Sequence, residues 1–185
     1  MTRIVAGSAK GRRIAVPASG TRPTSGRVRE ALFSSLDHLG YVAGRAVADI
    51  YAGSGALGLE AASRGAAYVE CVEASSRAAG IIRTNARSLG LDVTVASLKA
   101  EVWVARPPRR AFDLALLDPP YDLPEERLTR VLAGLARHMD TGGLVVVERS
   151  KRSPQPSWPE GLEPAGQRAF SDTLLWMASP ARLDA

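Results

Sequence analysis

The sequence predicts an α/β fold built on a mostly parallel, doubly wound sheet, and three observations carry that expectation. From Ala46 onward, short apolar runs alternate with helical patterns. A glycine turn at Gly53-Ser54-Gly55 separates the first run from the first helix. The last run, Leu174-Leu175-Trp176-Met177, follows the turn-like Ser171-Asp172 with no helix before it. Alternation at this spacing implies βαβ crossovers and parallel neighbours. A final strand without a crossover must instead turn back and pair antiparallel, here with a strand near Gln167–Phe170.

Each element has its own signal. Ala46 to Tyr51 is an apolar strand, and Leu57 to Arg64 a helix stopped by Gly65. Tyr68 to Glu73 is the second strand. Ser75 or Ser76 caps the next helix, in which Ile81, Ile82, Ala86 and Leu89 recur at helical spacing before Gly90 closes it. Val93–Ala96 and Leu114–Leu117 are the third and fourth strands. Glu125 to His138 is helical, with acids early and Arg137 and His138 late, as the helix dipole favours. Leu144–Val147 is the fifth strand. Residues 150–166 hold Pro154, Pro156, Pro159 and Pro164 and read as an extended loop. Ahead of the sheet, Gly26 to Leu39 is an amphipathic helix turning Val28, Leu32, Phe33 and Leu36 inward, and residues 2–16 form a small hairpin around Ala9-Lys10-Gly11.

A chain of 185 residues with 45% apolar content supports one full hydrophobic core. No apolar run approaches bilayer length, and Met1-Thr2-Arg3-Ile4 does not begin a secretory signal. The single cysteine, Cys71, has no disulfide partner and no neighbours at metal-ligand spacing, so a cytoplasmic protein without a metal is expected. The net charge is +5. Residues 1–30 carry Arg3, Lys10, Arg12, Arg13, Arg22, Arg27 and Arg29 against Glu30 alone, so the basic excess belongs to the N-terminal arm. Such clustering suits a phosphate backbone, although a merely solvating arm would read the same way.

Gly53-Ser54-Gly55-Ala56-Leu57-Gly58 lets the chain turn tightly and a ligand approach the first helix. Dinucleotide enzymes share this pattern, and three details narrow it. Asp49, four residues earlier, offers a buried carboxylate to an ammonium group. Glu73, ending the second strand, is placed to accept hydrogen bonds from ribose hydroxyls. No basic residue near the loop is poised for phosphate. S-adenosylmethionine, which has a ribose and an α-ammonium and no phosphate, fits better than NAD.

Asp118-Pro119-Pro120-Tyr121 closes the fourth strand at the edge where doubly wound sheets bind ligands. The two prolines remove N–H donors and leave carbonyl oxygens outward. The nitrogen of an exocyclic base amine is a poor nucleophile, because its lone pair is delocalised into the ring. A carboxylate and a carbonyl accepting its two N–H hydrogens would aim that lone pair at a methyl sulfonium. An aromatic face would fix the plane of the base. Asp118, the Pro119 carbonyl and Tyr121 supply this set.

On these residues the chain resembles a known family. Asp49-Ile50-Tyr51-Ala52-Gly53-Ser54-Gly55-Ala56-Leu57-Gly58-Leu59-Glu60-Ala61 and Asp118–Tyr121 look like the paired motifs of class I amino-methyltransferases. Lys10-Gly11-Arg12-Arg13, Thr21-Arg22-Pro23-Thr24, Arg27-Val28-Arg29-Glu30-Ala31-Leu32-Phe33 and Ser171-Asp172-Thr173 look like those of the RsmD family. The resemblance implies a Rossmann-like sheet of seven strands, the last antiparallel, in a single domain over residues 21–185, with residues 1–20 as a basic arm. It implies methylation of the N2 amino group of a guanine in 16S ribosomal RNA, on the small (30S) subunit or an assembly intermediate, by a monomer with no membrane partner. Asp49, Tyr51, Ala52, Gly53, Gly55, Glu73 and Ala74 would hold the cofactor, Asp118 to Tyr121 the guanine, and Lys10, Arg12, Arg13, Arg22 and Arg27 the RNA. Relatives carry an acid after the third strand that contacts the cofactor adenine. Lys99 stands there in this chain, with Glu101 two residues on.

Other readings account for less of the sequence. A DNA adenine or cytosine amino-methyltransferase shares the chemical core, but 185 residues leave no room for a target-recognition domain. A cytosine-C5 enzyme needs a cysteine nucleophile after the fourth strand, whereas Cys71 lies on the second. A silent RNA-binding or assembly module would use the arm alone, and an oxidoreductase gives Asp118–Tyr121 no task. His38 and His138, near predicted helix ends, are expected at the surface. Trp103 and Trp176 are expected in the core, and Trp158 in the proline-rich loop is a candidate substrate contact.

Overall fold

The computed structural model describes residues 2–17, 26–170 and 173–181. Thr21-Arg22-Pro23-Thr24 and Ser171-Asp172, both expected to matter, lie outside the described residues. In chain order the elements are β1 (Thr2–Arg3), β2 (Arg13–Ile14), α1 (Gly26–His38), β3 (Ala46–Ile50), α2 (Ala56–Ser63), β4 (Tyr68–Val72) and α3 (Ser76–Leu89), followed by β5 (Thr94–Ala96), α4 (Ala100–Val104), β6 (Phe112–Leu117), α5 (Glu125–Ala136), β7 (Met139–Ser150), β8 (Leu162–Phe170) and β9 (Thr173–Pro180).

The seven-stranded sheet has the order β5-β4-β3-β6-β7-β9-β8, parallel from β5 to β7 and antiparallel across β9 and β8. Strand β3 is buried at every position because both of its faces are covered. Ala46, Ala48 and Ile50 meet α4 and α5 through Val104, Leu128, Val131 and Leu135. Val47 lies in the opposite layer with Leu32, Phe33 and Leu36 of α1, Leu57 of α2 and Ile82 of α3. The sequence therefore reads as continuous apolar runs, which is the pattern of a sheet buried on both sides.

The large sheet starts at β3 and winds outward in both directions, so the order reverses between β3 and β6. At such a point the crossovers leave in opposite senses and open a crevice at the carboxyl ends of the strands. Asp49, Glu73 and Asp118 stand at the ends of β3, β4 and β6.

β1 and β2 pair antiparallel and form the expected hairpin. The arm packs Ile4, Ala9 and Ile14 against Ala56 and Leu59 of α2 and Ala86 and Leu89 of α3. Ser75 caps α3, accepting from the Ala78 N–H at 3.3 Å, and Gly90 ends it in a left-handed conformation.

Three expectations change. The proline-rich stretch gives way to β8 at Leu162, so Pro164 lies inside a strand. An edge strand tolerates proline because one side of its ladder is unpaired, and the register shift between Pro164 and Gly166 takes up the misfit. Helix α4 is an additional element of five residues. His138 is in the interior: it is 3% exposed, stacks on Trp103 with ring centroids 4.7 Å apart, and places Nε2 3.2 Å from the Val104 carbonyl oxygen. The helix α5 stops at Ala136, so the chain carries His138 inward as it enters β7.

Candidate active site

A cleft of about 720 Å³ opens at the carboxyl edge of β3, β4 and β6. Asp49, Tyr51, Ala52, Gly53, Glu73 and Ala74 line it, and so do Asp118, Pro119, Pro120 and Tyr121. Every predicted cofactor and base contact except Gly55 thus reaches one cavity. Gly55 does not line it. It serves as the N-cap of α2 at φ 78°, and a Cβ there would stand 3.0 Å from the Ile82 side chain. Its requirement is conformational.

The loop is held from both sides. Glu73 accepts from the Gly53 N–H through Oε2 and from the Ser75 N–H through Oε1, each at 2.8 Å. One carboxylate thereby spans the glycine loop and the start of α3. Asp49 is 1% exposed and accepts from the Gly58 N–H at 2.8 Å. That contact explains the third glycine: a Cβ on Gly58 would fall 2.5 Å from Cys71 Sγ and 3.1 Å from Asp49 Oδ2. Close helix–strand packing and a buried acceptor demand glycine at the same position. Burial pushes the Asp49 carboxyl up to about 7, the Gly58 N–H opposes the shift, and the charges of Asp118 and Glu73 add to it.

Tyr51 leaves β3 at φ 66°, a left-handed backbone that a tyrosine rarely adopts. Its hydroxyl is buried without a hydrogen-bond partner among the described residues, and burial pushes the phenol above its usual range. Strain of this kind persists only where the surroundings enforce it, and here it turns the chain into the glycine loop.

Opposite the loop, Asp118 is half-buried directly after β6, Pro119 is buried, and Tyr121 is 61% exposed. The Pro120 carbonyl accepts from the Leu123 N–H at 3.0 Å, closing the turn. Lys99 lines the cleft beside α4. Glu101 is engaged by Arg127, whose Nε and Nη2 donate to Oε1 at 2.8 and 2.5 Å. It therefore faces the cleft as half of an ion pair.

Carboxylates dominate this lining, with Asp49, Glu73, Asp118, Glu101 and Asp122 against Lys99 and Arg127. Such a lining suits a ligand that brings positive charge and hydroxyl donors, and it disfavours pyrophosphate. A sulfonium nucleoside with an α-ammonium fits.

The arm residues fare differently. Lys10, Arg13 and Arg27 are exposed. The Arg12 guanidinium is turned onto the end of α3, donating to the Leu89 carbonyl at 3.3 Å and to the Ser88 carbonyl. Arg22 lies outside the described residues. Arg29, counted in the basic cluster, is 2% exposed. It sits 3.7 Å from Glu60, also buried, and donates to the Arg3 carbonyl.

Several structural anchors carry little or no local signal in the sequence. Glu60 accepts from the Val5 and Ala6 N–H groups at 2.7 and 2.9 Å and from Arg64 Nε at 2.8 Å. It is the only charge within the apolar helix α2, which was the available cue. Asn85 and Pro17 have no such cue. Asn85 occupies a buried position on α3, and Pro17 lines the cleft.

A Rossmann-like sheet of order β5-β4-β3-β6-β7-β9-β8, with an acid-lined crevice and an Asp-Pro-Pro-Tyr turn, defines a class I methyltransferase. The family model described as conserved hypothetical protein 95 matches residues 2–179. The chain belongs to that family, the RsmD family. It is 33% identical over 163 residues to ribosomal RNA small subunit methyltransferase D of Haemophilus influenzae, covering 82% of this chain and 80% of that one. The solved structure of yhhF from Escherichia coli superposes with a TM-score of 0.82 at 27% identity over 97% of both chains. That of the hypothetical protein TTHA0928 from Thermus thermophilus also gives 0.82, at 32% identity, covering 96% of this chain and 98% of that one.

Proposed function

We propose that the protein methylates the exocyclic N2 amino group of a guanine in 16S ribosomal RNA, on the small subunit or an assembly intermediate, using S-adenosylmethionine. The observation that carries this reading is the meeting of Asp118–Tyr121 with Asp49 and Glu73 on one cleft. The small-subunit names of its relatives support a ribosomal substrate. The choice of guanine N2 rests on family resemblance.

When bound, S-adenosylmethionine supplies an electrophilic methyl group on a sulfonium. The chain's own residues do the rest. Glu73 accepts from the ribose hydroxyls, and Asp49 faces the α-ammonium. The backbone of Tyr51, Ala52 and Gly53, with Ala74 opposite, forms the walls. Asp118 and the Pro119 carbonyl accept the two amino hydrogens and hold the nitrogen lone pair toward the donor, while Tyr121 stacks on the base. The amine becomes far more acidic once alkylated, so Asp118 orients first and receives a proton only as the bond forms. The exposed Lys10, Arg13 and Arg27, with Arg22, contact phosphates. The protein acts as a cytoplasmic monomer without a metal.

Purified protein is expected to transfer labelled methyl to small ribosomal subunits lacking the modification, and Asp118→Ala to abolish the transfer. Equal labelling of duplex DNA, or a fully active Asp118→Ala, would refute the ribosomal reading.

A further inference from the structure

We infer that Asn85 is a positioning residue that couples the basic arm to the cofactor loop, so that each stabilises the bound state of the other. This rests on the proposed function, because it takes the Gly53 loop as the cofactor site.

Asn85 is 3% exposed in the middle of α3. Its Oδ1 accepts from the Ala15 N–H at 2.9 Å, and its Nδ2 donates to the Ala15 carbonyl at 2.9 Å. The side chain thus pairs with the arm as a neighbouring strand would, which fixes the register of residues 14–17 on α3. The second hydrogen of Nδ2 goes to the Ser54 carbonyl at 3.2 Å. Ser54 lies between the two glycines of the loop. One peptide group of that loop is held by Glu73 at the Gly53 N–H, and another is held by Asn85 at the Ser54 carbonyl.

A buried amide that satisfies three backbone groups at once cannot release one cheaply, because each orphaned group costs its full desolvation. The arm therefore sets the position of Asn85, and Asn85 sets the inner wall of the loop. Two residues beyond Ala15 the arm reaches the cleft itself, where Pro17 is part of the lining. A ligand that orders the loop must tighten the Ala15 pairing, and a polyanion that orders the arm must tighten the loop. Glu60 and Ser63 hold the far part of the arm, at residues 5–9, and touch neither glycine. They anchor the arm without coupling it.

The test uses trypsin, which cuts at the exposed Lys10 and Arg13, with cleavage at the exposed Arg109, in the loop before β6 and outside the cleft lining, as internal reference. Saturating S-adenosylhomocysteine is expected to slow arm cleavage about tenfold relative to Arg109 in the wild-type chain, within the usual range of coupling. Asn85→Asp retains the acceptor and loses both donors. Ala15→Pro removes from the arm side the one bond that Asn85→Asp keeps, the Ala15 N–H to Oδ1, at an exposed residue following the extended Ile14, and it decides the matter should Asn85→Asp fail to fold. Both variants are expected to bind S-adenosylhomocysteine roughly tenfold more weakly by calorimetry, and at saturation to show a protection ratio near one. Ser63→Ala, which loosens the arm elsewhere, should keep the wild-type ratio. Wild-type protein that binds S-adenosylhomocysteine without protecting its arm overturns the coupling and leaves the proposed function standing. So do link variants that bind and protect as wild type does. Wild-type protein that fails to bind it at all overturns the function and the coupling together.

Discussion

Asp118 and Asp49 face the same cleft, and the different duties proposed for them should be separable by measurement. Replacing Asp118 with Asn preserves shape and removes the anionic acceptor proposed to orient the amine. The turnover number is expected to fall about 10²-fold or more, while calorimetric affinity for S-adenosylhomocysteine stays within a factor of about three. Asp49 should instead govern pH dependence. Its carboxyl titrates near 7 in the folded chain, raised from 3.8 first by burial. The α-ammonium of S-adenosylhomocysteine favours the ionised form, so its affinity should rise as pH increases through about 7 and level off above about 8. The stability of the ligand-free protein runs the other way. The folded state holds this proton more tightly than the unfolded chain, so Asp49 favours folding below about pH 4, and that advantage is lost as pH rises toward 7. Calorimetry and urea unfolding across this range check both signs, and Asp49→Asn should flatten both profiles.

The residues legible in the sequence are those whose partners are near in the chain. Gly53 and Glu73 are twenty apart within one βαβ unit, and Asp118 to Tyr121 are contiguous, so a local pattern reveals them. Asn85 and Ala15 are seventy apart, and Glu60 and Val5 fifty-five. Nothing in either neighbourhood names the other. Arg29 shows the cost of this: as a sequence letter it adds to a basic cluster, yet in the fold it is the buried partner of Glu60.

At the scale of elements, α2 carries two constraints on opposite faces. Gly58 lies against β3 and β4, and Glu60 against the arm. Gly58→Ala forces a methyl group into Cys71 Sγ and is expected to cost about 1–3 kcal/mol. Adding Cys71→Ala should recover part of that loss, so the pair will be non-additive in denaturant titrations. Glu60→Ala leaves the Arg29 guanidinium buried without its carboxylate and should cost about 3–5 kcal/mol. A fall in urea midpoint at constant slope would show it, and an unchanged midpoint would mean that Arg29 is compensated elsewhere. Elements also mark the limit of pattern reading. The five residues of α4 are too few to display a helical period. β8 carries Pro164 and was legible only at its Gln167–Phe170 end, because proline on an outer strand mimics loop composition.

Across the whole molecule, charge and sheet have separate jobs. The sheet brings the acids together, while Lys10, Arg13 and Arg27 are exposed and are the residues proposed to meet the RNA. Reversing these three charges together should weaken binding to a 16S ribosomal RNA fragment and reduce the slope of log affinity against log salt by about three. Affinity for S-adenosylhomocysteine should change less than about twofold. Arg12 is left out of this set because its guanidinium closes the end of α3.

The arm's reliance on α2 and α3 has a consequence for synthesis. Its strands have two residues each, and its buried side chains, Ile4, Ala9 and Ile14, pack against Ala56, Leu59, Ala86 and Leu89, with Leu91 and Val93 beside them. A ribosome therefore makes the arm first and cannot give it a place until α3 has emerged. At roughly 5–20 residues per second that delay is on the order of 4–15 seconds. Throughout it, a flexible basic segment with no structure of its own trails beside the RNA of the machine translating it. The arm is made before the surface that holds it, and it settles only once that surface exists.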